Sequence, residues 1–202
     1  ATNDKIHFNI SGAGPHTIQP TSALPTITEA VTIDGTTEPD FVSTPIIELD
    51  GTSAGSVDGI TIAAANSTLK GLVINRFNGD GITINANSAT IQGIYVGTNV
   101  AGTSALANTD DGIAINSSSG HQIGGTAAGE GNIVAGNGAQ GIRIDGSGST
   151  GIVIEGNYIG TDVTGTINLG NTAQGIFLTS GPSNNTIGGT AAGAGNTIAF
   201  SG

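Results

Sequence analysis

The sequence predicts an all-β chain wound as a solenoid, a parallel β-helix of about six to seven coils with three short strands per coil. Three observations predict it. The chain repeats itself at long range, it carries a recurring Gly-Ile-x-Ile signature, and it breaks every apolar run with glycine.

The long-range repeat sets the architecture. Residues 91–115 (IQGIYVGTNVAGTSALANTDDGIAI) return at residues 154–178 (IEGNYIGTDVTGTINLGNTAQGIFL). Residues 121–136 (HQIGGTAAGEGNIVAG) return at residues 185–200 (NTIGGTAAGAGNTIAF). Self-similarity at a fixed period of about 63 residues means stacked structural units.

The signature supplies the first strand of each unit. It occurs at residues 59–62, 81–84, 112–115, 141–144 and, as Gly-Ile-Phe-Leu, 175–178. Strand alternation puts its two aliphatic residues on one face and the middle residue on the other. The middle residues Thr61, Thr83, Ala114, Arg143 and Phe177 vary in type, as an outward-facing column would.

A second strand follows at residues 68–71, 90–93, 122–125 and 186–189, and a third at 71–74, 93–96, 131–134, 156–159 and 195–198. The shortest spacing, Gly59 to Gly81, is 22 residues, a bare coil. Longer spacings carry loops, at residues 98–110 and 161–173 after the third strand and at 126–130 and 190–194 after the second. The loops alternate between coils, which doubles the period. Helix would need apolar residues at i, i+3, i+4 and i+7 without a glycine every few positions. Parallel strands are usually covered on both faces, and here only one face is apolar, so the sheet must close around it.

The chain reads as one domain. Residues 1–57 form an N-terminal cap and the first coils, with short strands at 5–10 and 16–20 and first coils at 31–34 and 46–50. Every proline except Pro182 lies at or before Pro45, which suits edges and caps. Residues 58–202 form the regular coils. The sequence stops inside a third strand, so it is expected to be a piece of a longer array or to have its last coil covered by another subunit.

Composition excludes some functions. There are 4 Lys+Arg against 15 Asp+Glu in 202 residues, for a net charge of −11. No basic stripe exists to neutralise phosphates, so nucleic acid is not a partner. The apolar runs are far short of the roughly 20 residues needed for membrane insertion. Without cysteine there is no disulfide or thiol chemistry. The polar start at Ala1 matches a mature secreted protein after cleavage.

Asn132, Asn157 and Asn196 each follow a glycine in one column. An inward asparagine ladder, with each amide bonding its neighbours in adjacent coils, is expected there rather than a metal or glycan contact. Earlier coils place Leu72 and Ile94 in the same column, consistent with an inward position.

These residues carry a resemblance. Residues 156–161 (Gly-Asn-Tyr-Ile-Gly-Thr), residues 185–190 (Asn-Thr-Ile-Gly-Gly-Thr) and Gly131-Asn132, with the lead-in segments at 24–27 and 32–35, resemble right-handed parallel β-helix repeat proteins of the pectate-lyase-like superfamily. The likeness is to the GNxIGT and NxIGGT repeat modules of large secreted bacterial surface proteins. It implies right-handed coils and an extracellular or cell-surface location. That superfamily holds lyases, hydrolases, epimerases, adhesins and tailspikes, so the likeness leaves function open.

Candidate chemistry is sparse. Asn108-Thr-Asp-Asp111, His121 and Arg143 partly match polygalacturonase motifs, which use paired carboxylates, but the internal copy has Ala173 and Gln174 in place of the acids. A solvated turn explains them better. A calcium-assisted lyase could draw on Asp80, Asp110, Asp111 and Asp145 with Arg76 or Arg143, yet no dense acidic cluster appears. Calcium is left open without being indicated. The outward threonines Thr61 and Thr83 are too few for an ice-binding array. His7, His16 and His121 lack metal-ligand spacing. No catalytic, cofactor or metal residue is assigned. Tyr95 and Tyr158, equivalent across the repeat, are the candidates for sugar stacking, against ordinary packing beneath the loops.

The sequence therefore reads as a non-enzymatic extracellular structural module. It is expected to assemble head-to-tail through its open C-terminal coil and N-terminal strands, on itself or on neighbouring β-helix repeats. The alternative is a module that binds or degrades polysaccharide.

Overall fold

The Gly-Ile-x-Ile segments lie directly over one another. In the computed structural model, which describes residues 4–202, strands Ile60–Ile62, Ile82–Ile84, Ile113–Asn116, Ile142–Asp145 and Ile176–Thr179 form a five-stranded parallel sheet, here sheet 1. Ile27 joins its first edge through an isolated parallel bridge to Ile62.

The other two strands of each coil build two seven-stranded parallel sheets. Sheet 2 stacks Asp4–His7, Val31–Asp34, Thr68–Lys70, Thr90–Gln92, Gln122–Gly124, Val153–Glu155 and Thr186–Ile187. Sheet 3 stacks His16–Ile18, Ile47–Asp50, Leu72–Asn75, Tyr95–Val96, Ile133–Val134, Tyr158–Ile159 and Thr197–Ile198. The chain visits sheets 2, 3 and 1 in turn, winding a right-handed parallel β-helix, as chirality favours for parallel crossovers. No α-helix occurs among the described residues.

Register makes each inward position a column. On sheet 2, Ile6, Ile33, Leu69, Ile91, Ile123, Ile154 and Ile187 pair in sequence. On sheet 3 the column is Ile18, Leu49, Ile74, Val96, Val134, Ile159 and Ile198. On sheet 1 it is Ile62, Ile84, Ile115, Ile144 and Leu178. These columns make up most of the continuous core. Burying each such side chain contributes about 1.5–3 kcal/mol, which replaces the stabilisation a conventional helix-packed core would give.

Glycine turns the corners. Gly156, between sheets 2 and 3, has φ +70°, and a Cβ there would lie 2.1 Å from the Gly125 carbonyl oxygen. A side chain would meet both backbone strain and a clash.

The long loops are organised too. Residues 98–105 and 161–168 each close through an antiparallel bridge, Thr98 to Ala105 and Thr161 to Asn168. Asn99 Oδ1 accepts from the Thr103 and Ser104 amides, and Asp162 Oδ1 does the same for Thr166 and Ile167. The two loops meet across the intervening coil, where Val163 N donates to Gly102 O at 3.0 Å. A loop too thick for one strand spacing of about 4.8 Å thus occupies two, which accounts for the alternation.

The outward column of sheet 1 departs from expectation. Thr61, Thr83, Ala114, Arg143 and Phe177 are in register, but Thr83 and Ala114 are buried rather than exposed. A second polar layer covers them.

Candidate functional site

That layer is an aspartate column. Asp58, Asp80 and Asp111 each precede a signature glycine. Asp58 Oδ1 accepts from Asp80 N (3.0 Å), Asp80 Oδ1 from Asp111 N (2.9 Å) and Asp111 Oδ1 from Gln140 N (3.0 Å). The Thr83 hydroxyl lies 2.8 Å from Asp58 Oδ2 and 3.2 Å from Asp80 Oδ2. Arg143 ends the column, donating from Nε to Asp111 Oδ2 (2.6 Å) and reaching Asn116 Oδ1 and Asp145 Oδ2.

Burial pushes the Asp80 carboxyl up to about 6; the Asp111 amide opposes this, and the Asp111 and Asp58 charges add to it. The guanidinium of Arg143 is held above its ordinary value, desolvation being outweighed by Asp111. The geometry is that of a stacking device: one oxygen of each acid is spent on the next coil's backbone.

The partial polygalacturonase match does not assemble. Asp110 is exposed, Asp111 is buried against Arg143, Asn108 points into the core, and His121 lies buried at the corner between sheets 1 and 2. His121 Nδ1 accepts from Ala89 N (3.1 Å), which leaves the proton on Nε2, facing Ser118 Oγ at 3.0 Å. Burial pushes its pKa down to about 4, with a bond to Ser118 opposing. Asn185 has the same job two coils on, accepting from Ile152 N (2.9 Å). His121 is a corner acceptor, not an acid or base for substrate.

Asn132, Asn157 and Asn196 do form an inward ladder. Asn132 N and Nδ2 both donate to Asn157 Oδ1 (3.0 Å each), and Asn157 N and Nδ2 to Asn196 Oδ1 (3.0 Å each). Remaining donors reach the Ile91, Ile123 and Ile154 carbonyls, and Asn132 Oδ1 receives Ile94 N. Leu72 and Ile94 continue the column.

A second ladder, unforeseen, lies at the corner between sheets 3 and 1. Asn108 Nδ2 donates to Asn137 Oδ1 (3.1 Å) and Asn137 Nδ2 to Asn171 Oδ1 (2.9 Å). Asn171 ends on Ser201 Oγ, and Asn108 Oδ1 receives Phe77 N. The signal was present: each asparagine stands four residues before Gly112, Gly141 or Gly175.

Tyr95 and Tyr158 share the outward column of sheet 3, separated by Ile133. Tyr95 is buried in an outer apolar cluster with Val73, Ile133 and Ala135, beside Tyr158, Val100 and Leu169. Burial raises its phenol pKa, against a hydrogen bond with the Thr44 side chain. Tyr158 stays half-buried. Both rings line a groove of about 420 Å³ bordered by Thr126, Gly129 and Val163.

The ends differ from everything between them. Ile6 is 47% exposed, Ile18 37%, Ile187 44% and Ile198 46%, whereas Ile91, Ile123, Ile74 and Val134 in the same two columns are 0%. The N-terminal mouth opens a hollow of about 570 Å³ lined by Ile6, Ile18, Leu24, Ile27, Ile33 and Leu49. Leu178 and Phe200 add to the apolar surface at the other end. No helix among the described residues is long and apolar enough to cross a membrane.

No known family model, curated protein or solved structure matches this chain.

Proposed function

We propose that the chain is a structural β-helix module whose two ends are its binding surfaces. It stacks head-to-tail on another copy, or on adjoining coils of the same kind, in a secreted or cell-surface setting of the pectate-lyase-like type. One observation carries this: the aliphatic columns that are fully covered in the middle are bare at both ends, together with unpaired strand edges on sheets 2 and 3. Placing Ile187 beside Ile6 and Ile198 beside Ile18 of the next copy continues both columns without changing their chemistry. Sheet edges of this sort are templates for pairing, and a heterologous joint of this kind propagates as an open filament. Sheet 1 ends one coil earlier, so the joint closes on two faces and leaves one strand position on the third.

The experiment is sedimentation of the purified chain over a concentration series, with negative-stain imaging. The reading expects linear oligomers that lengthen with concentration. A strictly monomeric chain at millimolar concentration would remove self-stacking.

A second reading rests on the groove beside Tyr158, whose half-buried ring and flanking Thr126 suit a sugar. Glycan-array binding that disappears in Tyr158→Ala would favour it.

A further inference from the structure

His16 has a partner problem that neither the stack nor the groove explains. It opens strand His16–Ile18 and tops the inward column that continues through Ile47, Leu72 and Ile94 to Asn132. Its side chain is only 10% exposed, and Nε2 is buried without a hydrogen bond. That nitrogen faces two carboxylates, Glu38 Oε1 at 3.9 Å and Asp40 Oδ1 at 3.9 Å.

Both acids are held in place by their other oxygens. Glu38 Oε2 accepts from Ile10 N (2.9 Å), and Asp40 Oδ2 accepts from Gly14 N. The Glu38 side chain is 1% exposed. No lysine or arginine among the described residues pairs with either acid; Arg76 and Arg143 serve Glu48, Asp50, Asp111 and Asp145. A buried imidazole nitrogen that faces two carboxylate oxygens with no hydrogen bond across the gap calls for an occupant, a water or an ion.

The spacing fits an ion. At 3.9 Å the nitrogen and oxygens are too far apart to hydrogen bond. Ligands about 2.0–2.2 Å from a tetrahedral centre stand about 3.3–3.6 Å apart. The three candidate atoms lie within 4.8 Å of one another, so the histidine pairs close by about 0.3–0.6 Å and the pair of carboxylate oxygens by at most about 1.5 Å to complete the site.

We propose that His16 Nε2, Glu38 and Asp40 bind one divalent transition-metal ion of the zinc class. One imidazole nitrogen with two carboxylate oxygens favours zinc, cobalt or manganese over calcium or magnesium, which take oxygen-only shells. Partly exposed Asp40 gives the entry path, and the remaining positions take water. The ion straps the first coil, which carries His16, to the turn after Val31–Asp34, which carries Glu38. The proposal is independent of end-to-end stacking, because every readout below is a property of the single chain.

The test is titration of the untagged, chelator-stripped chain at pH 7 with zinc by calorimetry and with cobalt by visible absorption. Controls are calcium titration and a His7→Gln variant, which removes an exposed histidine elsewhere. The expected result is one zinc ion per chain, a nitrogen-ligand cobalt spectrum, a zinc-dependent rise in Tm and no change in His7→Gln. His16→Gln and Glu38→Gln should weaken binding by more than the roughly 10- to 100-fold that loss of an outer-shell partner causes. Should either variant fail to fold, Asp40→Asn, at a partly exposed position, supplies the same comparison. Absence of zinc binding by the parent chain, or binding as tight as the parent's by both His16→Gln and Asp40→Asn, overturns the proposal and leaves His16 as an ion-pair partner only.

Discussion

The middle coils and the two ends are made of the same columns, but they differ in what covers them. Ile123 and Ile187 occupy one column on sheet 2, two strands apart in its order with Ile154 between; Ile123 has a neighbour above and below, and Ile187 has one. The middle is finished: its strand edges are paired, its ladder asparagines bond one another, and its aliphatic residues are dry. The ends lack only another coil. The unfinished surfaces are where apolar area stays exposed to water.

The largest effect should come from comparing those two isoleucines. Ile123→Ala is expected to cost about 2–5 kcal/mol in urea unfolding, as for other large-to-small core changes. Ile187→Ala in the monomer should cost less than about 1 kcal/mol. Equal costs would break the contrast between middle and end.

Asparagine ladders should come next. Asn157→Ala removes the acceptor of Asn132 and donors to Ile123 O and Asn196 Oδ1, each loss costing about 1–3 kcal/mol where the group stays buried. An unchanged Tm would contradict the inward ladder. Asn196→Ala, nearer the end and half-buried, should cost less.

A smaller effect separates two kinds of column by pH. His121 has a folded pKa of about 4 against an ordinary 6.5, so its stabilisation is present above pH 6.5 and is lost as pH falls toward 4. Asp80 has the opposite sign. Its folded value of about 6 lies above the ordinary 3.8, so its contribution is present below pH 3.8 and is lost as pH rises through 6. His121→Asn, which copies Asn185, should flatten the loss of stability between pH 6.5 and 4. Asp80→Asn should raise Tm at pH 7 by about 1–3 °C and leave Tm at pH 3.5 nearly unchanged. A fall in Tm at pH 7 would mean that the charge at Asp80 stabilises the column.

The two column types also explain what could be read from the sequence. An amide donates and accepts, so an asparagine ladder propagates without charge; a carboxylate only accepts, so the aspartate column draws on backbone amides and ends at Arg143. Gly-Asn at residues 131, 156 and 195 made the first ladder legible. The second was hidden because Asn108, Asn137 and Asn171 sit where loops begin or end, and their equivalence depends on the following glycine. Asp110 and Asp111 looked like a pair, but alternation and burial send only Asp111 to Arg143. For Tyr95 the sequence offered both sugar stacking and packing beneath a loop, and the hairpin at residues 98–105, with Val100 and Gly102 against the ring, buries it. The cluster of His16, Glu38 and Asp40 had no motif at all. His16 opens a strand, Glu38 and Asp40 lie in an irregular segment more than twenty residues further on, and the coil pitch brings them together.

The most direct test of the central claim is a mixing experiment with two end-blocked variants, Ile6→Lys and Ile187→Lys, followed by sedimentation. Head-to-tail stacking predicts that each variant alone is monomeric and that the mixture forms a one-to-one dimer and nothing larger, because each partner keeps one usable end. Self-association of either variant alone, or no association in the mixture while the parent chain oligomerises, would contradict the account.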